Sequence, residues 1–91
     1  MKVEIISLNA ETQIKVYEKH NIKAEEIEQV LKSDKPIFRK EGGNQYQAVG
    51  VYNRYITIFF EYDQKTKQAT IRTAYPSSKK QIKYYKKISK I

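Results

Sequence analysis

His20, Arg39, Arg54, Arg72, Tyr75, Ser77, Ser78 and a run of lysines beginning at Lys79 are the side chains of this 91-residue chain suited to holding a phosphate or moving a proton. Such a set fits RNA cleavage without a metal. A base takes the 2′-hydroxyl proton, cations hold the pentavalent phosphorane, and an acid protonates the departing 5′-oxygen. The chain has no Cys and one His, which removes thiolate nucleophiles, disulfides, cysteine-based zinc sites and His clusters, so neither metal nor cofactor is expected. No Walker loop, G-x-G-x-x-G, HExxH or G-x-S-x-G occurs, which argues against nucleotide-dependent and hydrolase-elbow enzymes. Glu41-Gly42-Gly43-Asn44 falls between two expected strands and reads as a hairpin turn with no phosphate role.

The charge agrees with a polyanionic partner. The formal net charge is +8, and it is lopsided: the first 35 residues are nearly balanced, whereas residues 36–91 hold twelve Lys and Arg against Glu41, Glu61 and Asp63. The last thirteen residues carry six Lys and no acid. Each cation that meets a phosphate releases condensed counterions, so nucleic acid is the leading partner class, ahead of an anionic membrane or an acidic protein. Lys-rich termini also serve solubility alone.

These residues need elements to position them. The length suits a single domain spanning 1–91, and 40% apolar residues suffice for a modest core. No apolar run approaches the ~20 residues of a membrane span, and the N-terminus lacks a signal-peptide core, so a cytoplasmic protein is expected. MKVEIIS alternates like a short strand. Asn9 can cap a helix from about Ala10 to Lys19, in which Ile14 and Tyr17 fall three apart, and Asn21 suits a left-handed stop. AEEIEQVLK places Ile27, Val30 and Leu31 on one stripe of a second helix, which Asp34-Lys35-Pro36 breaks. Residues 36–40, 45–52, 55–62 and 69–75 then read as four strands of an antiparallel meander. The third has two apolar faces, as a central strand does. Ser78-Lys79-Lys80-Gln81 is a capping box opening a last helix, with Ile82, Tyr85 and Ile88 inward and Lys79, Lys83, Lys86, Lys87 and Lys90 mainly outward. The architecture expected is α+β: helices on one face of an antiparallel sheet of four to five strands, two N-terminal and one C-terminal.

Strict alternation along the last strand puts Arg72 and Ala74 on one side and Ile71, Thr73 and Tyr75 on the other, so a bend is needed for Arg72 and Tyr75 to meet. Each candidate also has an ordinary role. His20 suits a helix C-terminus, Arg54 a solvated hairpin, and Arg72 a cross-strand pair with Glu61. Most of the eight tyrosines suit packing, notably Tyr46, Tyr62 and Tyr85.

The chain as a whole resembles the BrnT family of toxins from bacterial type II toxin-antitoxin pairs, which belong with the RelE-like ribonucleases. The resemblance runs in order from residue 17 to 85: Lys19-His20-Asn21-Ile22-Lys23-Ala24-Glu25-Glu26-Ile27, then Tyr46-Gln47-Ala48-Val49-Gly50 through Asn53-Arg54-Tyr55-Ile56-Thr57-Ile58, then Thr70-Ile71-Arg72-Thr73-Ala74-Tyr75-Pro76-Ser77-Ser78 with Gln81 and Tyr84-Tyr85. Asn21 stands where the family has Gly, Lys23 where it often has Ser or Thr, Tyr75 where it has Arg, and Gln81 where it has Glu. The resemblance implies a RelE- or BrnT-like fold and an mRNA-cleaving or ribosome-dependent ribonuclease. It also implies an antitoxin on the basic face, commonly a DNA-binding protein, with the ribbon-helix-helix type as one candidate. Carried over by position, it implies His20, Arg54, Arg72, Tyr75 and Lys79 as site residues, the first four catalytic; Arg39, Lys80 and Lys83 are the cations expected to bind RNA beside Lys79. Two alternatives are an inactive relative that binds nucleic acid and a protein-interaction module whose basic helix docks an acidic partner.

Overall fold

Among the described residues, five strands and three helices follow one another as β1 (Ile5–Ser7), α1 (Ala10–His20), α2 (Ala24–Lys32), β2 (Ile37–Gly42), β3 (Gln45–Tyr52), β4 (Arg54–Asp63), β5 (Gln68–Pro76) and α3 (Lys79–Ser89). The computed structural model describes residues 1–33 and 35–89. Asp34 in the break after α2 and Lys90 at the end of the basic stripe lie outside the described residues.

The strands form one sheet in the order β1-β5-β4-β3-β2. The α+β fold and the antiparallel meander are as expected for β2 to β5, and β1 joins parallel to β5 at Ile5–Ser7 against Gln68–Thr70, so the sheet is mixed. The helix ends follow the local chemistry. Asn9 Oδ1 accepts from the Thr12 N–H at 2.8 Å, and Asn21 closes α1 in the left-handed region at φ 54°. Ser78 and Gln81 open α3 with a reciprocal capping box.

β4 organises the core. Ile56, Ile58 and Phe60 are fully buried on one face, against Val16 of α1 and Ile27, Val30 and Leu31 of α2. Tyr55, Thr57, Phe59 and Glu61 point to the other face, and there α3 lies, with Tyr85 meeting Tyr55 edge-on at 5.8 Å. The helices therefore occupy both faces, not one, because β4 offers apolar surface on both sides and α1 with α2 cover only one of them. α1 also turns differently from its apolar spacing. Val16 faces the sheet, while Ile14 and Tyr17 are 55% and 50% exposed, since the sheet side of α1 is the stripe of Thr12, Val16 and His20.

Two close contacts fix α2 and β1. A Cβ on Gly50 of β3 would stand 2.7 Å from Val30 Cγ1 and 3.2 Å from Pro36 Cβ, so only glycine admits α2 at this depth. Gly50→Ala is expected to lower stability by about 1 to 3 kcal/mol, read as a drop in the urea midpoint at unchanged slope. On the central strand β4, Tyr62 is 8% exposed and its hydroxyl donates to the Lys2 carbonyl just before β1. Burial pushes the Tyr62 hydroxyl above the ordinary tyrosine value, with Glu4, Tyr46 and Asp63 adding to the rise. The fold thus favours the neutral phenol. That stabilisation is full below the unfolded value of about 10 and is lost as pH rises through the folded value. Tyr62→Phe is expected to cost about 1 kcal/mol at neutral pH through the lost hydrogen bond. The gap to the wild type should narrow as urea melts are repeated above about pH 10.

Candidate functional site

The site is built on an irregularity in β5. Phe59 of β4 pairs with Thr73, but the next residue, Phe60, pairs with Ile71, so Arg72 is an extra residue in a β-bulge. Strict alternation is broken there. Ile71 and Ala74 both enter the core, whereas Thr73 and Tyr75 share the opposite face with Thr57 and Phe59. The break in alternation that puts Arg72 on the Tyr75 side of the strand therefore lies at Arg72 itself. β1 pairs with β5 only as far as Thr70, so the outer edge of β5 beyond that point has no strand against it and α1 lies alongside.

Tyr75 is the centre of this edge. Its ring stacks on Phe59 at 5.9 Å between centroids, and the His20 ring, at the end of α1, lies 6.2 Å away on its other flank. Its hydroxyl accepts from Gln81 Nε2 at 2.8 Å. Gln81 Oε1 accepts in turn from the Ser78 N–H at 2.8 Å and from the Thr57 hydroxyl at 3.0 Å, and Thr57 Oγ1 lies 2.7 Å from Ser77 Oγ. One polar network thus ties the end of β5 to the first turn of α3.

Two clefts flank the network. The first, of about 160 Å³, is lined by Thr12, Lys15, Val16, Lys19 and His20 of α1 and by Arg72 and Thr73 of β5. Arg72 Nη2 donates to Glu61 Oε2, as the cross-strand reading allowed, but the side chain stays 56% exposed. A guanidinium carries five N–H donors, so this pair leaves donors to spare. The second cleft, of about 370 Å³, lies between the sheet and α3, and Arg39, Gln47, Lys80, Gln81 and Tyr84 are among its walls. Lys79, Lys80, Lys83 and Lys86 surround Ile82 along α3. The two clefts and α3 make this face and its β5 edge cationic, with two acids paired among the cations, Glu61 with Arg72 and Glu11 with Lys15 at 3.1 Å.

Of the residues singled out in the sequence, His20 is near two others, its ring 6.2 Å from that of Tyr75 and its residue lining the first cleft with Arg72, while Arg39 and Lys80 share the neighbouring cleft. Arg54 does not join them. It has the parity of Ile56, on the α2 side of the sheet, and its guanidinium donates to Glu26 Oε2 at 3.1 Å and to the carbonyl of Asn21. The same carboxylate oxygen accepts from the Lys23 N–H at 3.1 Å. Arg54 thereby holds the corner between α1 and α2, one residue beyond His20. Lys15 and Lys19 were missed in the sequence. They share the α1 stripe with Thr12, Val16 and His20, so drawing the sheet side of that helix would have found them. Among the described residues, no three His, Asp or Glu side chains gather as a metal site.

No protein-family model matches the chain, and no curated protein matches it in sequence. Among solved structures, it is similar to the crystal structure of the ribonuclease toxin BrnT from Brucella abortus, with a TM-score of 0.65 at 12% identity. The match covers 84% of this chain and 100% of that one. The fold is BrnT-like.

The Arg54–Glu26 pair is half-sheltered, at 34% and 15% side-chain exposure. Arg54→Ala and Glu26→Gln are each expected to lower stability by about 1 to 2 kcal/mol, with a coupling of about 1 kcal/mol in a double-mutant cycle followed by urea unfolding.

Proposed function

We propose that the protein is a ribonuclease toxin that cleaves RNA without a metal at the bulged end of β5. The observation that carries this reading is the convergence of His20 and Tyr75, 6.2 Å apart between rings, beside a cleft walled by Arg72, Lys15 and Lys19. These are two proton-transfer groups and three cations on one edge, in a chain with the fold of a ribonuclease toxin. Arg72 holds the scissile phosphate, and its spare N–H donors meet the charge that grows on the phosphorane oxygens. His20 and Tyr75 divide the two proton transfers between them. Lys15 and Lys19 bind the strand on one side of Tyr75, and Arg39 and Lys80 bind it on the other, with Lys79 and Lys83 extending the positive field along α3.

Arg54 acts in this scheme by holding the α1 corner that presents His20, so it positions the site without meeting the phosphate. The protein acts in the cytoplasm on RNA, free or on the ribosome. An antitoxin, a ribbon-helix-helix protein being the first candidate, neutralises it by covering the basic face. One observation favours the binding-only alternative: Arg72 already has a carboxylate partner in Glu61.

Inducible expression in a bacterial host is expected to arrest growth with loss of RNA. Arg72→Ala and Tyr75→Phe should each relieve the arrest and slow cleavage by purified protein about 100-fold or more. Replacing Lys15 and Lys19 together by Ala should weaken RNA binding across sequences and reduce the salt slope by about 2. Soluble wild-type protein that leaves RNA intact, with and without ribosomes, and binds it in a salt-sensitive way would make this a binding module and not an enzyme.

A further inference from the structure

We infer that Gln81 is a positioning residue: it fixes the direction of the Tyr75 hydroxyl so that the phenol presents its proton to the open face of the sheet and serves as the acid of the reaction. The catalytic half of this inference rests on the ribonuclease reading; the hydrogen-bond half stands on geometry alone.

The geometry begins with the Gln81 amide, whose two ends are told apart by their partners. The Ser78 backbone N–H, 2.8 Å from Gln81 Oε1, is a donor and nothing else, so the atom facing it has to be the carbonyl oxygen. The Thr57 hydroxyl, 3.0 Å away, donates to the same oxygen. The other end of the amide is then Nε2, and it stands 2.8 Å from the Tyr75 hydroxyl. An amide nitrogen only donates, so the phenol oxygen accepts. The phenol's own proton is left over, and among the described residues no acceptor takes it. Phe59 stacks on the ring and the His20 ring flanks it, which keeps the phenol from swinging toward another partner.

The chemical consequence follows the proton. The 2′-oxygen attacks phosphorus as His20 takes its proton, and the bond from phosphorus to the 5′-oxygen breaks with a 2′,3′-cyclic phosphate formed. The departing 5′-oxygen receives the Tyr75 proton, and the phenolate that remains keeps the Gln81 N–H until it regains a proton through water as His20 releases the one it took. A glutamate at this position would accept from the Ser78 N–H and from Thr57 just as Gln81 does, so the helix cap would survive. Its second carboxylate oxygen would face Tyr75, however, and draw the phenol proton inward. The difference between amide and carboxylate is thus the difference between an outward and an inward proton.

The test is Gln81→Glu, with Gln81→Met as a second variant and Tyr75→Phe as the reference in each background. The Raman Fermi doublet of tyrosine separates a phenol that accepts from one that donates, and subtracting the Tyr75→Phe spectrum isolates Tyr75. The wild type is expected to show Tyr75 as an acceptor, Gln81→Glu to show it as a donor, and Gln81→Met to lose the acceptor signature, with thermal melts confirming that each variant folds. In RNA cleavage, Gln81→Glu should lower kcat roughly tenfold or more while KM stays within about twofold. A wild-type doublet of the donor kind, or no change in Gln81→Glu, overturns the inference. So does Gln81→Glu cleaving at the wild-type kcat, an outcome that leaves the ribonuclease reading intact. The expected spectra with no cleavage by the wild type would overturn the ribonuclease reading, and the acid role with it, while upholding the hydrogen-bond direction.

Discussion

The extra residue in β5 is the constraint on which the site depends. A strand with period two cannot put Ile71 and Ala74 on the same side, yet both are buried in the core while Thr73 and Tyr75 face the opposite way. One unpaired residue reconciles the two demands, and Arg72 is that residue. The burial of Ile71, Ala74 and Ala69 fixes the register on both sides of the bulge, because sliding β5 by one position would expose all three. Arg72 is thereby held at an edge where no strand pairs and α1 comes alongside. The same event that completes the core assembles the cationic cleft.

α3 stands in a different energetic relation to the fold. Within its described residues none is buried, so its attachment draws little on apolar burial. It is held by the edge-on contact of Tyr85 with Tyr55, by the Lys86 ammonium 5.8 Å from the Tyr55 ring centre, and by the bonds that Gln81 makes to Thr57 and Tyr75. The Thr57 end of this attachment is fully buried, where a polar group left without a partner is costly. Gln81 therefore carries two loads: it docks the helix and it orients the phenol.

Much of this was legible in the sequence, and the legible parts are the local ones. Asn9, Asn21 and the Ser78–Gln81 pair mark helix ends through chemistry that acts within four residues, and the strands of the meander show through their alternation and turns. What stayed hidden depends on partners distant in sequence. The bulge at Arg72 follows from which residues of β5 the core accepts, and a local pattern does not contain that. Arg54 reads as a hairpin residue until Glu26, 28 positions earlier, is folded against it. The orientation of α1 is hidden because Ile14 and Tyr17 are its bulkier apolar residues, whereas its sheet side needs only Val16 between two polar neighbours. The position of α3 on the second face was foreshadowed by the two apolar faces of β4.

The departures of this chain from the family it resembles acquire a physical meaning once the contacts are known. Tyr75 and Gln81 stand where that pattern has Arg and Glu, and here they are the two ends of one hydrogen bond. A cation and a carboxylate in contact would satisfy each other by charge, and removing either alone would leave the other unpaired. A phenol and an amide satisfy each other without charge. Arg72, Lys15 and Lys19 stand nearby around the first cleft, so this end of β5 is cationic without a charge at residue 75.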